Sequence, residues 1–534
     1  MAEESLDEWT VRANDAMSIT MFTKAEKNQK EVNPVFTFQP TWTYPIVGDK
    51  ETISGYKGLK IYLRYNASDM RPHLFHTSTA RLESDEYDVQ DVREIFESHL
   101  PPVAFGSKAD FVKAVQNTSD DWQPPGELVE TFEGDKDGSY EVWKGSIADP
   151  LVLALVNRIQ ILVSLFIEGG EPIATESSEE REMDPLDRWT VYLLYQKRPR
   201  EAKPGKFTYI FAGYSTVYRF YIFRPSTTGQ STGALELELP KKNMPFTEFP
   251  CRSRISQFII IEPFQHKGNG QRLYHTIYKT LLDDPNTFEI TVEDPSEAFD
   301  VLRDRADLKF LRQQPEFNDI KINTSIELPN EGPLPRNIVN KTALETVRKQ
   351  FKIAPRQFSR LTEMHLMSKL PESVRTDIRA EVEGKGKKAP SKAEEHEYRL
   401  WKLFTKSRIN LQNKEQLATL EPAERVQALK DTLTSVELEY SLLLSMSEPR
   451  GDSQDPKGNK RKLSGNLEEI EGRHDGKKRR VNTGGEASED GADGGNEADD
   501  DGYDEDAEDI EEGREPEEFI EEMPEAPEVD LLSD

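Results

Sequence analysis

An extreme separation of charge along the chain limits how much of it can form a hydrophobic core. Residues 486–534 hold 24 aspartate and glutamate residues against one arginine, a net charge of −23, whereas the whole chain of 534 residues carries −30. Apolar periodicity already stops beyond Ser447, where Gly, Asp, Glu and Ser dominate. Such segments bury too little apolar surface to offset the entropy lost on ordering. We therefore expect a disordered tail at 448–534 and folded domains before it.

The remaining residues are numerous enough for several cores, at roughly 150 residues per domain. Residues 1–140 alternate short β-rich runs with turn residues, which predicts an N-terminal α+β domain. Residues 141–335 read as helix, three strands, helix and strand, which predicts a mixed α/β domain. Apolar residues recur at helical spacing over 336–447, on both sides of a lysine- and glycine-rich connector at 383–392. The predicted fold class is α+β with a separate helical domain.

Two features bear on the compartment. The most apolar stretch, 151–167, is interrupted by polar residues and is shorter than the roughly 20 residues that span a bilayer, so it predicts a buried helix rather than a membrane segment. The single cysteine, Cys251, excludes an intramolecular disulfide, and the acidic start MAEESLDEW is unlike a secretory or mitochondrial leader. We expect an intracellular protein.

The segment RISQFIIIEPFQHKGNGQRLYHTIYKTLL is the most informative for chemistry, because an apolar strand runs through Gln265, Gly268 and Gly270 directly into an amphipathic helix. Glycines allow a tight turn and close approach to a ligand, and the free N–H groups of a helix N-terminus favour an anion. The absence of a third glycine at Leu273, and of a following Gly-Lys-Ser/Thr, argues against NAD and ATP motifs. An ordinary strand-to-helix turn is the alternative.

The pattern Gln-x-x-Gly-x-Gly between a strand and a helix resembles the acetyl-CoA signature of the GNAT acetyltransferase superfamily. Further blocks in one order resemble the type B histone acetyltransferase catalytic subunit over roughly residues 40–410, namely GYKGLKIYLRY, DRWTVYLLYQ, GYSTVYRFYIF, EITVEDPSEAF, LRDR, KQFKI and EYRLWKLFTKSRI. The resemblance implies a GNAT domain at 141–335 and acetyl transfer from acetyl-CoA to lysines in the N-terminal tail of newly made, free histone H4. It also implies a WD-repeat histone-binding partner subunit.

Lysine acetylation requires a group that removes a proton. A free lysine has a pKa of about 10.4, and only its neutral amine attacks a thioester. Glu293 follows the strand FEITV and is a candidate general base, with an ordinary surface acid before a proline turn as the alternative. The resemblance places the catalytic glutamate at Glu293 and makes Asp294 and Glu168 further candidates.

The resemblance also assigns the coenzyme site. The backbone of Phe258, Ile259 and Ile260 would pair with the pantetheine arm like another strand. The residues that would surround the pyrophosphate are Gln265, His266, Lys267, Gly268, Asn269, Gly270 and Gln271. Ser296 and Arg305 fall where the family makes further coenzyme contacts, although a solvated helix face is the alternative for Arg305.

A surface for the cationic histone tail is implied in the same way. Its residues are Asp49, Lys50, Glu51, Trp189, Tyr218, Arg219 and Phe220. Carboxylates attract lysines, and aromatic rings cover lysine stems or make cation–π contacts. Lys50 reduces the negative charge beside Asp49 and Glu51, and a place in the sheet core is the alternative for Trp189 and Tyr218.

Two other functions remain open at this level. The tail could make the protein an acidic histone chaperone without catalysis, since its charge attracts basic proteins over long distances. A GNAT enzyme acting on a small amine is the second alternative. Histidine and cysteine spacing gives no metal site, and the acidic chain predicts no direct DNA binding. The basic cluster KKRR at 477–480 predicts nuclear import, hence a nuclear and cytoplasmic protein, with a solvated charge cluster as the alternative.

Overall fold

The computed structural model describes residues 6–25, 32–83, 89–134, 138–175, 185–200, 203–221, 248–328, 335, 337–376 and 388–447. These residues divide into two compact units. The first contains those within Met1–Ser325, Asn337–Arg375 and Lys387–Phe404, and the second those within Ile326–Arg336, Thr376–Gly386 and Thr405–Asp534. The predicted tail, with its KKRR cluster, and residues 383–387 of the predicted connector lie outside the described residues. The division into four domains stays a prediction.

The N-terminal part of the first unit contains a four-stranded sheet and two short strand pairs. Its strands are β1 (Thr10–Arg12), β2 (Met17–Thr23), β3 (Asn33–Phe38), β4 (Thr52–Ser54), β5 (Tyr56–Lys57), β6 (Lys60–Asn66), β7 (Pro72–Thr77) and β8 (Ala80–Arg81). Its helices are α1 (Ala13–Ala16), α2 (Tyr44–Val47), α3 (Val92–Glu97) and α4 (Lys108–Gln116). The order of the larger sheet is β3-β2-β6-β7, with β2 and β6 parallel. Because side chains alternate along a strand, Ile19 and Met21 of β2 and Ile61 and Leu63 of β6 are fully buried.

A six-stranded mixed sheet lies at the centre of the first unit. Its strands are β9 (Glu127–Phe132), β10 (Ser139–Ser146), β11 (Trp189–Pro199), β12 (Phe207–Tyr221), β13 (Cys251–Ile260) and β14 (Thr287–Val292). They lie in the order β14-β13-β12-β11-β10-β9, and only β13 and β14 run parallel. The middle of β11 and β12 is buried on both faces, as their aromatic and β-branched residues predict. The observed mixed sheet with helices confirms the α+β class.

Four of the described helices flank this sheet. They are α5 (Pro150–Ile159), α6 (Ile161–Phe166), α7 (Asn269–Asp283) and α8 (Glu297–Leu311). The single helix predicted at 151–167 is wrong in detail, because it is two helices that meet at Gln160, where a tighter bond from the Val163 N–H to the Gln160 carbonyl interrupts the regular ladder. Helix α7 connects the parallel strands β13 and β14, and it buries Leu273 and Ile277 at helical spacing.

The helices predicted within 336–447 are present. The described residues also form the helices α9 (Pro315–Asn318), α10 (Lys341–Gln350), α11 (Pro355–Lys369), α12 (Lys392–Gln412), α13 (Lys414–Ala418) and α14 (Pro422–Ser447). The segment after α10 adds to the central sheet, since the Ile290 N–H of β14 donates to the Lys352 carbonyl at 2.7 Å. In the second unit, Leu433 and Tyr440 of α14 are buried. None of the described helices combines the length and apolar character that a membrane span requires.

Candidate active site

Strand β13 is paired on both sides for only its first half. Its register with β14 runs from Cys251 to Ile255, and the last bond joins the Glu293 N–H to the Ile255 carbonyl at 2.9 Å. Residues 256–260 continue along β12, but within the described part of the chain no strand pairs with them on the side of β14. The sheet therefore opens at Glu293 and leaves a strand edge that a ligand can use.

A β-bulge decides which amides face this opening. Between the pairs Ser215–Phe258 and Val217–Ile255, β13 has one residue more than β12. Beyond the bulge, the Gln257 N–H donates to Thr216 Oγ1 and the Ile261 N–H to the Ala212 carbonyl, so odd-numbered residues of β13 face β12. Because backbone groups alternate along a strand, the amides of Phe258 and Ile260 face the opening, whereas that of Ile259 faces β12.

The turn after β13 is exposed and leads into the N-terminus of α7. Gly268 caps the helix with φ +79°, a left-handed conformation that glycine adopts without steric cost, and it supplies no side-chain cap. The first helical bond is from the Arg272 N–H to the Gly268 carbonyl, which leaves the amides of residues 269–271 without a partner within the helix. Three such amides beside an exposed turn fit the pyrophosphate of a coenzyme.

The side chains of the predicted pyrophosphate loop divide into two groups. Gln265 Nε2 donates to the Ile260 carbonyl at 2.7 Å and Lys267 Nζ to the Pro263 carbonyl at 2.7 Å, yet both side chains are exposed. Asn269 is buried and structural, because its amide donates to the Phe264 carbonyl at 2.9 Å and its Oδ1 accepts from Arg272. Exposed members of the loop are also His266, which has φ 57°, and Gln271.

Helix packing by itself favours glycine at position 270. A Cβ at this position would lie 2.7 Å from Leu302 Cδ1 of α8, so the missing side chain lets α7 and α8 approach each other at the start of α7. Phe299 of α8 packs edge-on against Phe258, with ring centroids 4.9 Å apart. Ser296 caps α8 by accepting from the Phe299 N–H at 3.3 Å, and Arg305 is exposed on the same helix.

Glu293 lies where β13 and β14 separate. Its Oε2 accepts a hydrogen bond from Ser256 Oγ at the bulge, and its Oε1 lies 3.9 Å from an Arg254 guanidinium nitrogen. The Glu293 side chain is 47% exposed, so it remains accessible to a substrate. Asp294 is exposed as well and has φ 34°, a left-handed backbone that ends the strand sharply.

Glu168 is exposed on the loop that follows α6. This loop lies against β13, because Gln257 Nε2 donates to the Glu171 carbonyl at 2.8 Å. Tyr44 of α2 fixes the same loop by accepting from the Gly169 N–H at 2.8 Å. The structure thus brings the Glu168 loop to the bulge that also carries the Ser256 contact with Glu293.

A row of half-buried aromatic rings leads across the sheet to Glu293. Trp189 and Tyr218 have ring centroids 4.7 Å apart, and Tyr218 and Phe220 are 4.6 Å apart. The Arg254 guanidinium lies 4.1 Å from the Phe220 ring centroid and continues the row to Glu293. We call these residues, Trp189, Tyr218, Phe220 and Arg254, the aromatic row. The sequence did not suggest Arg254 or Ser256, because nothing local indicates that an arginine or a serine on β13 reaches an acid after β14.

The other predicted substrate residues are placed differently. Arg219 lies on the opposite face of β12, where it pairs with Asp284 of the segment after α7 at 2.9 Å. Glu51 has a structural task, since its Oε1 accepts from the Thr43 N–H at 2.8 Å, and this bond lowers the pKa of the Glu51 carboxyl. Asp49 and Lys50 are exposed beside it.

A buried polar network ties α7 to its neighbours. Asp307 of α8 accepts from the Tyr274 hydroxyl at 2.7 Å and from Gln357 at 3.1 Å. Burial raises the pKa of Asp307 to about 6. Arg360 of α11 pairs with Asp304 at 2.7 Å in the same cluster. The network fixes α7, α8 and α11 to one another. Cys251 is fully buried.

Comparisons with known proteins show which family this chain resembles. The family model described as histone acetyl transferase HAT1 N-terminus matches residues 9–168, and that of the fungal HAT1 C-terminal region matches 304–371. The histone acetyltransferase type B catalytic subunit of Gibberella zeae is 47% identical over 449 residues, which cover 83% of this chain and 92% of the relative. That of Neurospora crassa is 45% identical over 464 residues, covering 83% and 89%. An aminoglycoside acetyltransferase from a soil metagenome is 13% identical over 37% of this chain and 95% of its own, with a TM-score of 0.17, too low to carry an argument.

A relative at 47% identity over most of both chains is sufficient to assign a family. The family resemblance inferred from the sequence blocks is thereby confirmed. The chain belongs to the histone acetyltransferase type B catalytic subunit family, which consists of acetyl-CoA-dependent acyltransferases.

Proposed function

We propose that this protein transfers acetyl groups from acetyl-CoA to lysines in the N-terminal tail of free, newly made histone H4. The observation that carries the proposal is the position of Glu293. This carboxylate lies at the point where the sheet opens, between a strand edge that no described strand pairs with and the aromatic row. A base placed there can reach a lysine that meets a thioester in the opening.

The open half of β13 supports a coenzyme site. The amides of Phe258 and Ile260 are available to pair with the amide groups of a pantetheine arm, as in the addition of an edge strand. The three amides at the start of α7 and the side chain of Lys267 then suit the pyrophosphate. Acetyl-CoA supplies the thioester whose acetyl group is transferred.

Glu293 acts as the general base in this proposal. It takes one proton from the substrate ammonium, directly or through a water, and the neutral amine forms a bond to the thioester carbonyl carbon. The carbon–sulfur bond breaks, and the nitrogen loses its remaining extra proton as the thiolate of coenzyme A is neutralised. Transfer is direct in a ternary complex. Asp294 and Glu168 are secondary acids that attract the cationic substrate to the opening.

The substrate class follows from the surface beside the base. The aromatic row offers flat, half-buried rings to the aliphatic stems of lysines, and the exposed Asp49 adds negative charge near the N-terminal sheet. A small amine would need no such row. The relatives named above are catalytic subunits acting on histones, which agrees with a peptide substrate.

Three finer parts of the proposal rest on the family resemblance and the sequence. The enzyme works with a WD-repeat histone-binding subunit, and it is present in both the nucleus and the cytoplasm. The acidic segment at 486–534, with its net charge of −23, favours histone binding as a second function.

Deletion of residues 449–534 separates the two functions, since a chaperone would lose most histone affinity at low salt whereas the acetyltransferase would keep its turnover.

Labelled acetyl transfer to an H4 tail peptide tests the base assignment in wild type, Glu293→Gln, Asp294→Asn and Glu168→Gln. We expect Glu293→Gln to lower kcat about 100-fold or more, with acetyl-CoA still bound and with partial recovery at high pH, where more lysine is neutral. The other two variants should lose much less. Full activity of Glu293→Gln would refute the base assignment, and faster transfer to a free polyamine than to the peptide would refute the substrate class.

A further inference from the structure

Arg254 places a cation on the surface proposed to receive a cationic peptide, as does Arg188, whose guanidinium lies 4.5 Å from the Tyr218 ring centroid. The Arg254 guanidinium lies 4.1 Å from the Phe220 ring centroid and 3.9 Å from Glu293 Oε1. A bare cation here would repel a lysine-rich substrate, so its presence calls for a task that outweighs this repulsion.

The two oxygens of Glu293 are held from two neighbouring positions of one strand. Oε2 accepts from Ser256 Oγ, and Oε1 faces the Arg254 guanidinium at 3.9 Å. Without both contacts, a half-exposed glutamate side chain would populate several rotamers, and only some of them would point its carboxylate into the opening. Because proton abstraction requires hydrogen-bond reach, the fraction of time spent in the correct rotamer enters kcat directly.

The guanidinium has a neighbour of its own. Its central carbon lies over the Phe220 ring, 4.1 Å from the centroid, and Phe220 packs on Tyr218, which packs on Trp189. Register explains why these groups meet, since Tyr218 is paired with Arg254 across β12 and β13 and Phe220 is its diagonal neighbour. The packed row of rings therefore limits where the cation, and through it the carboxylate, can lie.

We propose that Arg254 is a positioning residue for Glu293, and that Phe220 sets the position of its guanidinium. The inference rests on the proposed role of Glu293 as base. According to this proposal, the aromatic row positions the Glu293 carboxylate through Arg254. The row therefore contributes to kcat as well as to substrate binding.

Arg252 offers a matched control. It lies two residues earlier on β13 and also pairs with a glutamate, since its Nε is 2.9 Å from Glu289 Oε1. Glu289 is buried and also pairs with Arg348, at 2.8 Å. The Arg252 pair is therefore part of the packing around β14, and its loss should alter stability but leave kcat as it is.

The proposal is tested by steady-state acetyl transfer to an H4 tail peptide. Acetyl-CoA affinity and thermal unfolding are measured for every variant. We expect Arg254→Gln to lower kcat about tenfold with little change in the affinity for acetyl-CoA, and Arg254→Lys and Phe220→Leu to lose less. Arg252→Gln should keep the wild-type kcat. A normal kcat in folded Arg254→Gln would overturn the proposal, as would an equal loss in Arg252→Gln.

A double-mutant cycle distinguishes positioning from a general structural effect. If Arg254 acts through Glu293, Arg254→Gln should cause no further loss of kcat in the Glu293→Gln background, whereas independent damage to the fold would give losses that multiply. Multiplying losses would overturn the proposal. Failure of the base assignment is visible separately, because Glu293→Gln alone would then retain activity. If Arg254→Gln does not fold, the same cycle is run with Phe220→Leu, with the same criteria.

Discussion

Two halves of one strand, β13, are used in opposite ways. In the first half, Arg252 and Arg348 both pair with the buried carboxylate of Glu289 of β14, and the backbone is bonded on both sides. In the second half β14 has ended, the glutamate after it is 47% exposed, and the arginine that faces it stacks on an aromatic ring. The same pairing of residue types is therefore structural in one half and available for chemistry in the other. What separates them is the end of β14 at Val292.

The largest effect on stability is expected from a substitution in the paired half of β13. Glu289→Ala leaves the cations of Arg252 and Arg348 in a nearly buried site without their partner, which should lower the free energy of unfolding by about 3 kcal/mol. Urea denaturation measures this change. The kcat of the folded fraction should remain within about twofold of wild type, because Glu289 has no part in the opening.

Glu293→Ala is the matched control for that experiment, four residues further along the chain. Its loss should change the free energy of unfolding by less than about 1 kcal/mol, because the group is half exposed and its ion pair is long. The assignment of a structural role to Glu289 rather than Glu293 would be contradicted if Glu289→Ala were as stable as wild type. It would also be contradicted if Glu293→Ala lowered the free energy of unfolding more than Glu289→Ala.

A smaller effect is expected at the turn that follows the open half. Lys267→Ala should raise the KM for acetyl-CoA about threefold and leave kcat unchanged, since one exposed cation interacts weakly with a pyrophosphate through water. Raised salt should reduce the difference between variant and wild type. Lys279→Ala, an exposed lysine further along α7, is the control and should keep the wild-type KM. Equal effects of the two substitutions would remove Lys267 from the coenzyme site.

Local patterns were sufficient to predict the elements around the site. The apolar strand, the glycine turn, the amphipathic helix and the strand before Glu293 all occur as β13, the turn to α7, α7 and β14. Each is encoded by neighbouring residues: alternation for the strands, i and i+4 spacing for α7, and glycine at Gly268, where φ is positive.

The features that make the site work depend on distant residues and were not predictable in this way. The bulge arises from pairing between Thr216 and Gln257, which are 41 residues apart, and it alone turns the Phe258 and Ile260 amides to the opening. The contact of Arg254 with Glu293 likewise depends on register between strands. The turn motif predicts a coenzyme contact at Gly270, whereas the close approach of this residue to Leu302 depends on packing between two helices that the motif does not encode.

The central claim is that the open half of β13 receives the coenzyme. Hydrogen–deuterium exchange tests it at residue resolution along this strand, with and without saturating acetyl-CoA. The account predicts that acetyl-CoA slows exchange of the Phe258 and Ile260 amides strongly. The amides of Ser253 and Ile259, which the register already pairs with β14 and β12, should change little. Bound acetyl-CoA with no slowing at Phe258 and Ile260, or with uniform slowing along 252–260, would contradict the account.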